Sequence, residues 1–249
     1  MTGLMGPAAI APGGARAQIS AGAELGFRGV QIDGAHPETR ARDLDRSARR
    51  DLAALLRRAG LALSGVDLMI PPAHLAGGPH LDRAVAAVID GVGLVAELAT
   101  LGAQSGGGSP WARVLAIELP PACPADVVAR LSAAAETAGV ELADHSWPAR
   151  AGSGAVGPGI DPAAIIFAGA DPVAEVTRLA GVPVAARLTD MSARGRVEVG
   201  SGQGTLDRYA YEAALHARGY RGWLVVDVRG LTDAGGAARR LVADGPGEA

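Results

Sequence analysis

The strongest constraint in this sequence is an alternation. Short apolar runs give way repeatedly to longer amphipathic stretches that end at glycine, the pattern of βα units laid around a parallel sheet. Eight units can be placed, with strands predicted at 8–11, 29–33, 62–68, 114–118, 140–143, a sixth opening at 159–161, then 184–188 and 223–228. The predicted helices cover 14–25, 47–59, 81–98, 124–138, 162–168 with 172–180, 206–218 and 234–243. Eight such units in 249 residues match one closed (β/α)8 TIM barrel of the α/β class, so residues 1–249 are read as a single domain. Aromatic residues are only 3% of the chain, so the core must be packed from Ala, Val, Leu and Ile. The glycine-rich segment 102–109 is expected to be a flexible loop, 147–159 a lid over a ligand, and the last six residues frayed.

Charge and rare residues exclude several classes of function. The chain has no Lys: all 23 basic residues are Arg, so neither a Schiff base nor a phosphate-loop lysine is available. Net charge is −3, and the basic cluster Arg46, Arg49, Arg50, Arg57 and Arg58 is interleaved with Asp43, Asp45 and Asp51. Mixed signs at helical spacing describe a solvated helix face, so no nucleic-acid partner is expected. Cys123 is alone and cannot form an internal disulfide, which suits a reducing compartment. No basic leader is evident and no apolar run is expected to approach the roughly 18 residues of a membrane span. These features predict a cytoplasmic protein with no membrane partner; a homo-oligomer stays open.

In a barrel of this kind the chemistry sits where the strands end at their carboxyl side. The polar residues there are Asp33 and His36 after the second strand, Asp67 at the third, Glu118 at the fourth, and Asp144 and His145 at the fifth. Asp161 follows in the sixth unit, Arg187 and Asp190 at the seventh, and Asp227 and Arg229 at the eighth. A ring of carboxylates facing one centre needs a counter-charge, supplied by a divalent cation or by the guanidinium of Arg187 or Arg229.

Three segments carry a resemblance. Leu25-Gly26-Phe27-Arg28-Gly29-Val30-Gln31-Ile32-Asp33, Val199-Gly200-Ser201-Gly202-Gln203-Gly204-Thr205-Leu206-Asp207 and Gly219-Tyr220-Arg221-Gly222-Trp223-Leu224-Val225-Val226-Asp227 occur in the order found in xylose isomerase-like barrels. The chain therefore resembles that family of sugar phosphate isomerases and epimerases. The resemblance implies a divalent metal (Mn, Mg or Zn) held by Glu, Asp, His and Glu at the ends of strands five to eight. Those positions here hold Asp144, Asp161, Arg187 and Asp227, and a further family histidine falls on Ala164. A guanidinium has no lone pair to give a metal. The expectation is thus no cofactor, or a weakly bound metal on Asp144, Asp161 and Asp227, with Arg187 preferred as the missing positive charge.

The catalytic candidates are Asp144, His145, Asp161, Arg187 and Asp227; the substrate-binding candidates are His36, Asp67, Glu118, Asp190 and Arg229. The function implied is proton transfer next to the carbonyl of a small sugar or polyol, an isomerase, epimerase or related lyase. The competing reading is a barrel that has lost catalysis and serves as a binding or partner subunit. Relatives that repair nucleic acid use a multi-metal centre that five scattered histidines cannot supply.

Overall fold

The computed structural model describes residues 7–10, 14–104, 111–150 and 152–243. Eight parallel strands close into a barrel in the order β1 (Pro7–Ile10), β2 (Gly29–Asp33), β3 (Ala62–Asp67), β4 (Val114–Ile117), β5 (Glu141–Asp144), β6 (Val156–Ile160), β7 (Ala185–Leu188) and β10 (Leu224–Asp227), which returns to pair with β1. Between β7 and β10 a small antiparallel hairpin, β8 (Asp190–Ser192) and β9 (Gly195–Val197), stands outside the barrel. The helices are α1 (Ala15–Glu24), α2 (Arg46–Arg58), α3 (Leu81–Ala103), α4 (Ala125–Ala138), α5 (Pro162–Phe167), α6 (Pro172–Arg178), α7 (Arg208–Ala217) and α8 (Ala234–Ala243).

Local chemistry explains the boundaries. Asp45, Asp161, Asp171 and Asp207 each accept a backbone N–H in the first turn of the helix that follows, which satisfies a donor that turn would otherwise leave unpaired. On α2, Leu52, Ala53 and Leu56 face the core. Arg49 is not simply solvated: it pairs with Glu97 of α3 at 2.8 Å and bonds the carbonyls of Leu44 and Ala41. The main apolar core lies between strands and helices and includes Ile19, Ile32, Leu56, Leu63, Leu94, Leu115, Leu131 and Leu215. A second, smaller cluster of Ala62, Trp223 and Val225 fills part of the barrel interior.

Three expectations need correction. The sixth strand begins at Val156, so the lid candidate is shorter than predicted and its end, 156–159, is sheet. The part before the strand is fastened: Arg150 forms an ion pair with Asp144 and bonds the carbonyl of Pro120, while Ala155 donates to Ser132 of α4. The third helix runs on through Gly102 to Ala103, and 105–109 of the expected flexible loop, like the last six residues, lie outside the described residues. By length and composition α3 also reaches what a membrane span needs, against the expectation from apolar runs. Its apolar positions are interrupted in sequence by Asp90 and Glu97 but gather on one side of the coil, and half of its most apolar stretch is buried, packed against α2, α4, β3 and β4.

Candidate active site

Because all eight barrel strands run parallel, their carboxyl ends meet at one rim, and a cavity of about 210 Å³ opens there. Asp67, Met69, Glu118, His145 and Arg187 line it, with Ile117 and the loop from Leu68 to Pro72. That volume is below the roughly 300–1,000 Å³ of pockets for drug-sized ligands, so a small ligand fits it best.

Arg187 occupies the centre of this arrangement. It donates through Nη2 to Asp67 at 2.9 Å and through Nη1 to Asp161 at 3.2 Å, while its buried Nε has no partner. Burial works against its charge, yet the facing carboxylates of Asp67 and Asp161 raise its pKa above the ordinary arginine value. Its strand is held from behind, where the Tyr211 hydroxyl of α7 donates to the Arg187 carbonyl at 3.1 Å. Asp161 is partly buried, which pushes its pKa up, but Arg187 and a 2.5 Å hydrogen bond from the Thr189 hydroxyl outweigh that and bring it below the usual carboxylate value.

Arg229 forms a second junction. Its Nη2 lies 2.6 Å from Asp67 Oδ2 and 2.9 Å from Asp227 Oδ2, its Nε donates to Asp227 Oδ1 at 2.9 Å, and Nη1 rests on the Met69 sulfur. The hairpin adds Arg196, which reaches Asp227 Oδ2 at 3.3 Å and the Asp227 carbonyl at 2.8 Å. Burial pushes the Asp227 pKa up, but these guanidiniums outweigh it, so the net shift is downward. Asp67, Asp161 and Asp227 thus balance Arg187, Arg229 and Arg196.

Two groups facing the cavity stand outside that balance. Glu118 is exposed on its outer side and has no hydrogen-bonding or ionic partner among the described residues; partial burial raises its pKa, opposed by Arg187 and reinforced by Asp144, Asp161 and Asp67. His145 is 6% exposed, and neither ring nitrogen has a partner. Burial, then the nearby Arg187, hold its pKa well below the ordinary value, so the imidazole is neutral. The ring lies against Gly159 of β6, where a Cβ would come within 2.8 Å of it.

The remaining candidates are placed elsewhere. Asp144 accepts from the backbone of Leu119 and Ser146 at 3.0 Å, and it pairs with Arg150 at 3.1 Å without hydrogen-bond alignment, so it is turned away from Arg187. Asp190 accepts from Met191, Thr205 and Leu206 and organises the loop after β7. Asp33 accepts from Ala35, and His36 accepts from the backbone of Glu38, both within one turn. Met69, Thr189, Arg196 and Arg150 were missed. Thr189 could have been found from strand alternation, since it shares a face with Arg187 two residues earlier. Arg196 had a weaker signal in Gly195, whose φ of 125° suits a hairpin turn.

The metal positions of the resembling family fail a direct test of fit. Asp144 faces Arg150, and guanidiniums cover Asp161 and Asp227. Among the described residues no three His, Cys, Asp or Glu side chains stand together closely enough to hold an ion.

Solved structures decide the architecture. The chain aligns with an L-ribulose 3-epimerase over 92% of its own length and 86% of the other chain, at TM-score 0.66 and 18% identity. It has the fold of the xylose isomerase-like barrels. A xylose isomerase domain protein from Alicyclobacillus acidocaldarius subsp. acidocaldarius matches xylose isomerase-like geometry over 95% of this chain and 96% of its own, at TM-score 0.63 and 17% identity. The IolI protein, solved with a binding zinc atom, covers 93% and 92% at TM-score 0.65 and 14% identity. No family model matches the chain, and no curated protein matches it by sequence.

Proposed function

We propose that this xylose isomerase-like barrel is an isomerase- or epimerase-type enzyme for a small sugar or polyol, in which guanidinium takes the electrophilic role of a divalent cation. The observation that carries this reading is Arg187, seated between Asp67 and Asp161 and bordering one cavity with the unpaired Glu118 and the partnerless His145. Support from outside the chain is the fold shared with an L-ribulose 3-epimerase.

The chemistry follows from these groups. Glu118, made more basic by burial, takes a proton from the carbon next to the substrate carbonyl. The electron pair moves onto the carbonyl oxygen, and the guanidinium of Arg187 at the cavity wall stabilises the enediolate. The neutral imidazole of His145 carries a proton between substrate oxygens, one nitrogen donating and the other accepting. Return of the proton from Glu118 to the neighbouring carbon gives an isomer; an epimer forms where a second acid, the role open to His145, protonates the opposite face of the enediolate while Glu118 keeps the proton it took. Asp67, Asp161, Asp227 and Arg229 position Arg187, Asp144 and Asp190 hold the adjoining loops, and His36 stands at the outer rim of β2.

The second reading, a non-catalytic binding barrel, is favoured by one observation: every carboxylate of the family's metal positions is already neutralised by arginine. Incubation with L-ribulose and D-psicose in D₂O separates the two. Deuterium entering next to the carbonyl, lost by about 10²–10⁴-fold in Glu118→Gln, supports the enzyme. A sugar that raises the melting temperature without any exchange supports the binder. We propose a cytoplasmic setting as well, in keeping with the free thiol of Cys123.

A further inference from the structure

At the opposite end of the barrel, where the strands begin, a separate cavity of about 340 Å³ opens, larger than the one at the mouth. Its wall includes Ser64, Arg113, Glu141, Tyr220, Arg221 and Trp223. The opening follows from small residues, since Ala112 and Ala185 line it, and at Gly29 a Cβ would come within 2.8 Å of the Trp223 ring. Two residues that border it carry unmet polar groups. Trp223 is 2% and Ser64 4% exposed, and neither the indole Nε1 nor the Ser64 hydroxyl has a hydrogen-bond partner. A buried indole N–H can only donate, and leaving it unmet is costly, so an acceptor is missing beside Trp223.

The rim of the cavity is cationic. Arg113 donates to the Ala138 carbonyl and the Thr100 hydroxyl, and Arg221 to the carbonyls of His216 and Tyr220, two bonds each from guanidiniums that carry five N–H donors. Neither has an ion-pair partner among the described residues, and Glu141 is the one carboxylate in the cavity wall. We infer that the base of the barrel is a binding site for a small organic carboxylate, its anionic end on Arg113 and Arg221 and an acceptor oxygen on Trp223 Nε1 and Ser64. The site is distinct from the mouth and does not depend on the reaction proposed there.

The test is calorimetric titration of the purified full chain with succinate and, separately, inorganic phosphate, followed in parallel by tryptophan fluorescence. Saturable succinate binding is expected, with perturbed emission from Trp223. Trp223→Phe removes the donor and keeps the ring, and should weaken binding by roughly fivefold to tenfold, the equivalent of one hydrogen bond. Arg113→Gln with Arg221→Gln should abolish binding and, because both side chains are exposed, leave the fold intact. Absence of binding to the wild-type chain overturns the proposal. So does equal binding of phosphate and succinate that Trp223→Phe leaves unchanged, which would mark a surface anion patch.

Discussion

Arg187→Met would leave the buried Asp67 and the partly buried Asp161 with less counter-charge than they have now. Breaking a buried pair typically costs about 3–5 kcal/mol; the lower end is expected, because Asp67 keeps Arg229, and urea unfolding at neutral pH measures it. His145 gives a pH signature. Its folded pKa lies well below the ordinary 6.5, so as pH falls through 6.5 the unfolded chain takes up a proton that the folded chain refuses. Stability from this residue is therefore complete above 6.5 and falls below it at about 1.4 kcal/mol per pH unit until the folded pKa is reached. Unfolding free energies measured from pH 7.5 down to 5 should show this slope, and His145→Phe should remove it. Asp161 and Asp227 act further down: their depressed values give stability present above the ordinary 3.8 and lost as pH falls through the folded values.

Among the elements, β6 and the β8–β9 hairpin each brace a residue of the mouth from outside it. Gly159 of β6 leaves room for the His145 ring, so Gly159→Ala overpacks that contact. A loss of roughly 1–3 kcal/mol is expected from the clash, with displacement of the imidazole and loss of deuterium exchange. The hairpin is tied to the barrel through Arg196 and Asp227. Arg196→Ala should therefore speed amide exchange across Asp190–Val197 while changing global stability by less than about 1 kcal/mol, because Arg196 is partly exposed and the buried Asp227 keeps Arg229. These two elements were also the hardest to see in the sequence. Val156-Gly157-Pro158-Gly159 looks like loop because glycine and proline dominate it, and only pairing with β5 and β7 on both sides makes it a strand. The hairpin is too short for an apolar rhythm to register.

For the molecule as a whole, the seating of three carboxylates on three arginines predicts indifference to chelation. Dialysis against EDTA should leave both the melting temperature and any deuterium exchange unchanged; a fall in either would show an ion bound where guanidinium is now placed. Eight βα units, their order and most helix ends were legible in the sequence, because apolar periodicity, helix-capping aspartates and terminal glycines act within a few residues of one another. Parallel closure then placed Asp67, Glu118, His145, Arg187 and Asp227 on one rim, as the strand ends required. The partner of each charge was a different matter. Asp144 and Asp161 are equivalent in sequence, each at a strand end before a turn, yet one turns to Arg150 and the other to Arg187. Which guanidinium neutralises which carboxylate depends on distances across the barrel between residues as far apart as Asp67 and Arg229, and local sequence carries no record of such distances.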